Sequence, residues 1–117
     1  MLLKDDYKGY LGVDMMICRV AGGYVVHPCV EINLRMNMGV VSRLFFDRYV
    51  SPSSSGQYVV EHYGAEGEAL ENHHRCLSAY PLKIVQDGRI LQGYLPLTPV
   101  QATTHYQVYV VLSDAGV

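Results

Sequence analysis

A row of polar side chains alternates with apolar ones in the first half of the chain. Residues 30–37 read Val-Glu-Ile-Asn-Leu-Arg-Met-Asn, so the polar positions are Glu31, Asn33, Arg35 and Asn37. Because successive side chains of a strand point to opposite faces, a strand here would carry all four on one face. A carboxylate, an amide and a guanidinium side by side suit a hard cation next to an anionic ligand. The alternative is an ordinary strand with a polar outer face.

A second carboxylate, Asp14, lies upstream in the largely apolar segment 12–20, which predicts a strand buried on both faces. Gly22-Gly23 predicts a two-residue turn that pairs this strand with the next. In the resulting register Asp14 lies directly opposite Glu31. Two facing carboxylates destabilise a sheet unless something offsets their repulsion. We therefore expect a divalent cation between them.

The same row of polar residues ends where a helix is predicted to begin. Asn37 is a suitable N-cap for a helix over 38–49, and free N–H groups at a helix N-terminus favour anions. The order of elements predicts an α+β fold, with a mostly antiparallel sheet and two helices. The other predicted elements are a strand over 24–36 with Pro28 at a bulge, a solvated loop over 51–56, a strand over 57–63, a helix over 65–79, a hairpin over 82–95 around Asp87-Gly88, and a strand over 104–112.

Length and charge exclude several classes of function. The 117 residues suffice for one domain with one core, and a formal net charge of -2 argues against general nucleic-acid binding. No apolar run approaches the roughly 18–20 residues of a membrane span, and the first residues do not resemble a signal peptide. Three cysteines without CxxC spacing favour reduced thiols, so we expect a cytoplasmic protein that does not contact a membrane.

A zinc site is a weaker alternative. His73 and His74 lie close to Cys76, but neighbouring side chains on a helix diverge by about 100°, and no second pair of ligands has suitable spacing. We expect these histidines to lie on a solvated helix face.

The stretch Glu31-Ile32-Asn33-Leu34-Arg35 resembles the metal-binding strand of the ATP-grasp superfamily. That strand has an acidic residue, an apolar residue, Asn, one further residue and often Arg. The upstream stretch 9–16, Gly-Tyr-Leu-Gly-Val-Asp-Met-Met, resembles the preceding strand of the same family, which carries the first acidic metal ligand. The two stretches occur in the family's order and are joined by a short hairpin, so the resemblance covers about residues 9–39.

The resemblance implies a role for each polar residue. Asp14 and Glu31 would bind Mg²⁺, or Mn²⁺, between the β- and γ-phosphates of ATP, and Asn33 would bind the same ion or a second one. Arg35 would be the catalytic residue that holds the transferring phosphoryl group or the acyl-phosphate intermediate. Asn33 and Arg35 would thus bind the nucleotide. Asn37 is a further candidate for phosphate contact because of its place at the helix start, and helix capping alone is an equal alternative for it. Members of the family activate a carboxylic acid as an acyl phosphate, which an amine or another nucleophile then attacks.

The resemblance also predicts the organisation of the chain. Residues 1–117 would form one domain like the C-terminal subdomain of an ATP-grasp fold, with a metal- and phosphate-binding half over 1–49 and a family-specific extension over 50–117. In the family the phosphate-contacting lysines, the glycine-rich flap and the adenine pocket lie upstream. We therefore expect the C-terminal part of a longer ligase, inactive alone. Its partners would be the missing N-terminal half, ATP and a small-molecule carboxylate. The alternative is a non-catalytic binding or assembly module, which could be a homodimer.

Overall fold

A computed structural model describes residues 7–115 of the protein. The fold is α+β, and its sheets are mostly antiparallel. This confirms the predicted class. The described residues divide into two units, with the boundary between Arg43 and Leu44. In chain order the elements are β1 (Gly12–Val20), β2 (Gly23–Asn33), α1 (Met38–Tyr49), β3 (Ser54–His62), α2 (Glu68–Ala79), β4 (Lys83–Ile84), β5 (Ile90–Pro96) and β6 (Tyr106–Asp114).

The first unit contains an antiparallel hairpin of β1 and β2. Its turn lies one residue earlier than predicted, because Val20 pairs with Gly23 and leaves Ala21 and Gly22 as the two turn residues. With that turn and a regular ladder, Asp14 would face Cys29 rather than Glu31.

An irregularity in β2 restores the predicted pairing. Between the pairs Asp14–Glu31 and Met16–His27, β1 contributes only Met15 while β2 contributes the three residues 28–30. This segment begins at Pro28, which has no N–H to donate to the ladder, so the bulge lies where proline is tolerated. The prediction that Asp14 faces Glu31 is therefore confirmed. The route differs from the prediction, because the turn changes the register of the pairing by two residues and the two extra residues of the bulge restore it.

The hairpin is exposed along nearly its whole length, and the prediction that β1 is buried on both faces is wrong. Met15, Ile17 and Tyr24 are 66%, 72% and 72% exposed, and most other side chains of both strands are exposed as well. A two-stranded ribbon has no layer of its own to cover either face, and isolated hairpins are marginally stable in water. The apolar composition of β1 indicates a surface suited to burial, which the hairpin by itself does not provide.

The second unit is built on a four-stranded sheet in the order β3-β6-β5-β4. Residues 106, 108, 110 and 112 share one face of β6, as predicted. Val110 and Leu112 form the apolar core on this side with Val50 and Ile90, all at most 7% exposed. The partly buried side chains packed against this core are Phe45, Phe46, Tyr58, Leu95 and Leu97.

The opposite face of the same sheet carries α2 and is more polar, although it also includes Val59 and Val111. The pairing of β3 with β6 places Gln57, Glu61, Gln107 and Tyr109 on this face, and Tyr94 of β5 joins them. From α2, Ala69, Asn72 and Cys76 are buried. The sheet of the second unit therefore separates an apolar core from a polar one.

The loop predicted over 51–56 is shorter than expected. Strand β3 already begins at Ser54, whose side chain is buried and donates a hydrogen bond of 2.6 Å to the backbone carbonyl of Leu91. A run of serines suggests a solvated connector, but a hydroxyl can be buried when a carbonyl accepts its proton.

Candidate functional site

The candidate site in the first unit is formed by Asp14, Glu31 and Asn33 at the open end of the hairpin. Asp14 and Glu31 are paired across the two strands, and the side-chain amide of Asn33 donates a 3.3 Å hydrogen bond to Asp14 Oδ2. Paired residues and residues two apart in one strand share a face, so all three side chains point the same way. The hairpin thus brings together the three residues that the sequence predicted as metal ligands.

The composition of this group fits a magnesium ion. Mg²⁺ is usually held by one or two carboxylates, while water and substrate phosphates complete its octahedral shell. No group of three or more His, Cys, Asp or Glu side chains within residues 7–115 is placed to hold a metal ion. An ion held here would have two carboxylates and one amide as its protein ligands, and positions for phosphate oxygens would remain.

Asn33 can serve either as a donor or as a ligand. Its nitrogen and oxygen occupy equivalent positions at the end of the side chain, and a rotation of the amide exchanges them. After that rotation the Asn33 oxygen would take the place of the nitrogen beside Asp14.

Asn37 performs the predicted capping role. Its Oδ1 accepts a 3.0 Å hydrogen bond from the N–H of Val40, and its carbonyl accepts the first helical bond, from Val41. The same side chain lies against β1, since a Cβ atom on Gly12 would be only 2.7 Å from Asn37 Nδ2. Gly12 pairs with Asn33, so this close approach connects the start of α1 with the site end of the hairpin.

Arg35 does not belong to the strand that was predicted to carry it. Strand β2 ends at Asn33, so the alternation that would align Arg35 with Glu31 stops two residues earlier. Arg35 lies exposed in the connection between β2 and α1. Its guanidinium is therefore positioned by a short connection rather than by the sheet.

A second group of polar side chains, which the sequence did not predict, lies between α2 and the polar face of the second unit. The Tyr63 hydroxyl is 2.9 Å from Glu61 Oε2 and 3.1 Å from Gln107 Oε1, and it accepts a 2.8 Å bond from Asn72 Nδ2. Tyr109 donates a further 2.9 Å bond to the same Glu61 oxygen. Gln107 Nε2 donates a hydrogen bond to the Tyr94 hydroxyl. The same hydroxyl lies 2.8 Å from His73 Nδ1, so the group of polar side chains extends to His73.

Burial raises the pKa values of the tyrosines in this group. Burial and the hydrogen bond to Glu61 raise the pKa of Tyr109 to about 12, and the same causes raise the pKa of Tyr63 well above its ordinary value of 10. Burial also raises the pKa of Tyr94. Desolvation disfavours the phenolate, and the neighbouring carboxylate repels it. The polar core is therefore held together by neutral hydroxyls around one carboxylate.

His73 is a member of this polar core rather than a residue of a solvated helix face. It is half-buried and bonded to Tyr94, whereas His74, one position further, is exposed as predicted. The sequence did contain a signal for this polar core. Asn72, His73 and Cys76 are spaced to lie on one side of α2, and an amide buried on that side requires hydrogen-bond partners.

No model of a known protein family, no characterised protein and no solved structure matches the chain. Among the described residues, none of the helices has the length and apolar character that crossing a membrane would require.

Proposed function

We propose that the chain is the Mg-ATP-binding C-terminal part of an ATP-grasp ligase that activates a carboxylate as an acyl phosphate. The single observation that carries this proposal is the pairing of Asp14 with Glu31, with Asn33 beside them on the same face. A hairpin that only had to be stable would avoid opposing two carboxylates. A divalent cation held by these carboxylates would remove that penalty, and its charge would attract the nucleotide's phosphates.

The start of α1 supports the same proposal. Asn37 satisfies the N–H of Val40, and a helix N-terminus offers further backbone N–H groups and a partial positive charge. Phosphate oxygens are commonly bound at such positions. In the proposal, the free N–H groups of this helix start would bind phosphate oxygens of the nucleotide.

Each residue of the proposed site would have a separate role in phosphoryl transfer. When bound, Mg²⁺ would neutralise charge on the β- and γ-phosphates, and Asp14, Glu31 and Asn33 would hold it. Arg35 would place its planar guanidinium against the transferring phosphoryl group, where a fork of N–H donors matches phosphate oxygens. Such charge stabilisation is the main contribution that a protein makes to this reaction.

The exposed hairpin favours a second candidate function, a non-catalytic assembly module. Apolar side chains exposed over both strands would be covered by another protein surface, including that of a second copy. The same exposure agrees with the first proposal, in which the remaining part of the ATP-grasp module would contribute to the site. Nucleotide binding discriminates between the two proposals, because an assembly module would not respond to Mg-ATP.

An NMR titration of the ¹⁵N-labelled protein tests the proposed function. Mg-ATP is expected to shift the backbone signals of Asp14, Glu31 and Val40, with weak affinity because the rest of the nucleotide site lies elsewhere. The titration is run in constant Mg²⁺, so that the shifts caused by the ion alone are already present in the starting spectrum. AMP in the same Mg²⁺, which lacks the β- and γ-phosphates, should then shift these signals at least roughly tenfold less than ATP, and so should ATP in EDTA, which lacks the ion.

A pair of matched variants tests whether the Mg-ATP response depends on the charge of Arg35. Arg35→Gln should weaken the Mg-ATP response, whereas Arg19→Gln, which removes the same charge near the turn end of the hairpin, should leave it unchanged. Equal shifts by AMP and by ATP, or a response that persists in EDTA, would contradict the proposal. Self-association without any nucleotide response would favour the assembly module.

A further inference from the structure

A cavity of about 340 Å³ lies in the second unit between α2 and the polar face of the sheet. Its size falls at the lower end of the roughly 300–1,000 Å³ of small-molecule sites. The lining combines apolar and polar side chains from three sources: Gln57 and Val59 of β3, Tyr109 and Val111 of β6, and Asn72, Arg75, Cys76 and Tyr80 in or just after α2.

The charge of this lining has one sign. Arg75 is a permanent cation, and the lining contains no Asp or Glu. Val59 and Val111 lie on neighbouring strands and offer an apolar surface beside it. A cavity with one cation and an apolar wall suits an anion that carries an apolar body.

Arg75 is an exposed residue at the cavity, and one hydrogen bond orients its guanidinium. It donates to Asn72 Oδ1, and the buried Asn72 is itself fixed by its 2.8 Å bond to Tyr63. A guanidinium carries five N–H donors in a plane, so one bond to Asn72 leaves others that could meet a carboxylate. Orientation in advance reduces the entropy lost on binding.

The nearby carboxylate of Glu61 does not cancel this preference. Glu61 Oε2 already accepts from the hydroxyls of Tyr63 and Tyr109, and its side chain does not line the cavity. The Tyr109 hydroxyl adds no negative charge to the lining at neutral pH, since its pKa, about 12, lies even further above neutrality than the ordinary value of 10.

We propose that this cavity binds a small monocarboxylate with an apolar body, its carboxylate on Arg75 and its hydrocarbon part against Val59 and Val111. A single planar guanidinium matches a planar carboxylate, whereas a phosphate dianion would require further donors. The site rests on the second unit alone, so it stands or fails independently of the Mg-ATP proposal.

The test is an NMR titration of the ¹⁵N-labelled protein with 3-methylbutanoate, its neutral analogue 3-methylbutanamide and inorganic phosphate. The carboxylate is expected to bind with a Kd of about 1 mM and to shift the backbone signals of Val59, Arg75 and Val111. The amide, which has the same shape without the charge, and phosphate, which has charge without the apolar body, should each bind at least about tenfold more weakly. Equal responses to the carboxylate and the amide, or a tighter response to phosphate, would overturn the proposal.

Two variants locate the site. Arg75→Gln is expected to weaken binding of 3-methylbutanoate by at least about tenfold, because it keeps a polar side chain but removes the charge and the planar fork of donors. Arg48→Gln removes an exposed cation that lies over the Tyr49 ring, away from the cavity lining, and should leave binding unchanged. Equal losses in both variants would mean that the anion responds to overall charge, which would contradict a site at Arg75.

Discussion

Mn²⁺ is expected to broaden the backbone NMR signals of Asp14, Glu31 and Asn33 before it affects the remainder of the spectrum. Asp14 and Glu31 are paired across the hairpin, and Asn33 lies beside Asp14, so an ion bound by these groups would be close to all three backbones. Mn²⁺ accepts the same oxygen ligands as Mg²⁺, and its unpaired electrons broaden the signals of nearby nuclei. The double variant Asp14→Asn with Glu31→Gln is expected to remove the effect.

The expected loss in that variant is roughly tenfold or more in Mn²⁺ affinity, equivalent to about 1.4 kcal/mol. The matched control removes two carboxylates elsewhere, with Glu66→Gln and Glu71→Gln, two exposed positions in the second unit. In this control variant, Mn²⁺ should broaden the NMR signals of the hairpin as much as it does in the wild type. If Mn²⁺ broadens the NMR signals of the hairpin equally in the Asp14/Glu31 variant and in the Glu66/Glu71 control, the carboxylate pair does not hold the ion.

Replacing Gly93 with alanine is expected to destabilise the second unit by about 3 kcal/mol, since backbone strain and overpacking each contribute about 1–3 kcal/mol. Gly93 lies in β5 with φ of 115°, a conformation that residues with a side chain rarely adopt. A Cβ atom there would be 2.5 Å from the Pro81 carbonyl oxygen and 2.6 Å from Leu82 Cα. Both are backbone atoms, so the chain that precedes β4 would have to move. Urea unfolding, followed through NMR signals of β5 and β6, measures the loss.

Gly88 provides the control for this effect. Its φ of 84° is also positive, but a Cβ atom there would meet nothing within 4 Å. Gly88→Ala should therefore cost only the backbone strain, about 1 kcal/mol. If both variants lose the same stability, close packing against the Pro81 and Leu82 backbone is not what requires glycine at position 93.

Much of the candidate site followed from local patterns in the sequence. The alternation around Glu31 predicted a strand, the glycines at 22 and 23 predicted a hairpin, and Asn37 predicted the start of a helix. Each of these features depends on a few neighbouring residues. The pairing of Asp14 with Glu31 was also predicted correctly, although the turn residues are Ala21 and Gly22 and a bulge at 28–30 compensates.

Other features depend on contacts that the pattern does not contain. The apolar β1 predicted burial on both faces, but burial depends on a covering layer, and the strand is exposed. The alternation continues to Asn37, while β2 ends at Asn33, because capping of α1 by Asn37 requires the chain to leave the strand. The polar core around Tyr63 and Gln107 joins residues 44 positions apart, which periodicity cannot connect.

The most direct test of the central claim, that the facing carboxylates exist to hold a divalent cation, is hydrogen exchange of the hairpin with and without Mg²⁺. In EDTA the amides of β1 and β2 should be better protected in Glu31→Gln than in the wild type, by a few tenths to about 1 kcal/mol, because the variant removes repulsion with Asp14. In excess Mg²⁺ the order should reverse, since the ion binds and stabilises only the wild-type pair. A difference of the same sign and size in both conditions would contradict the claim.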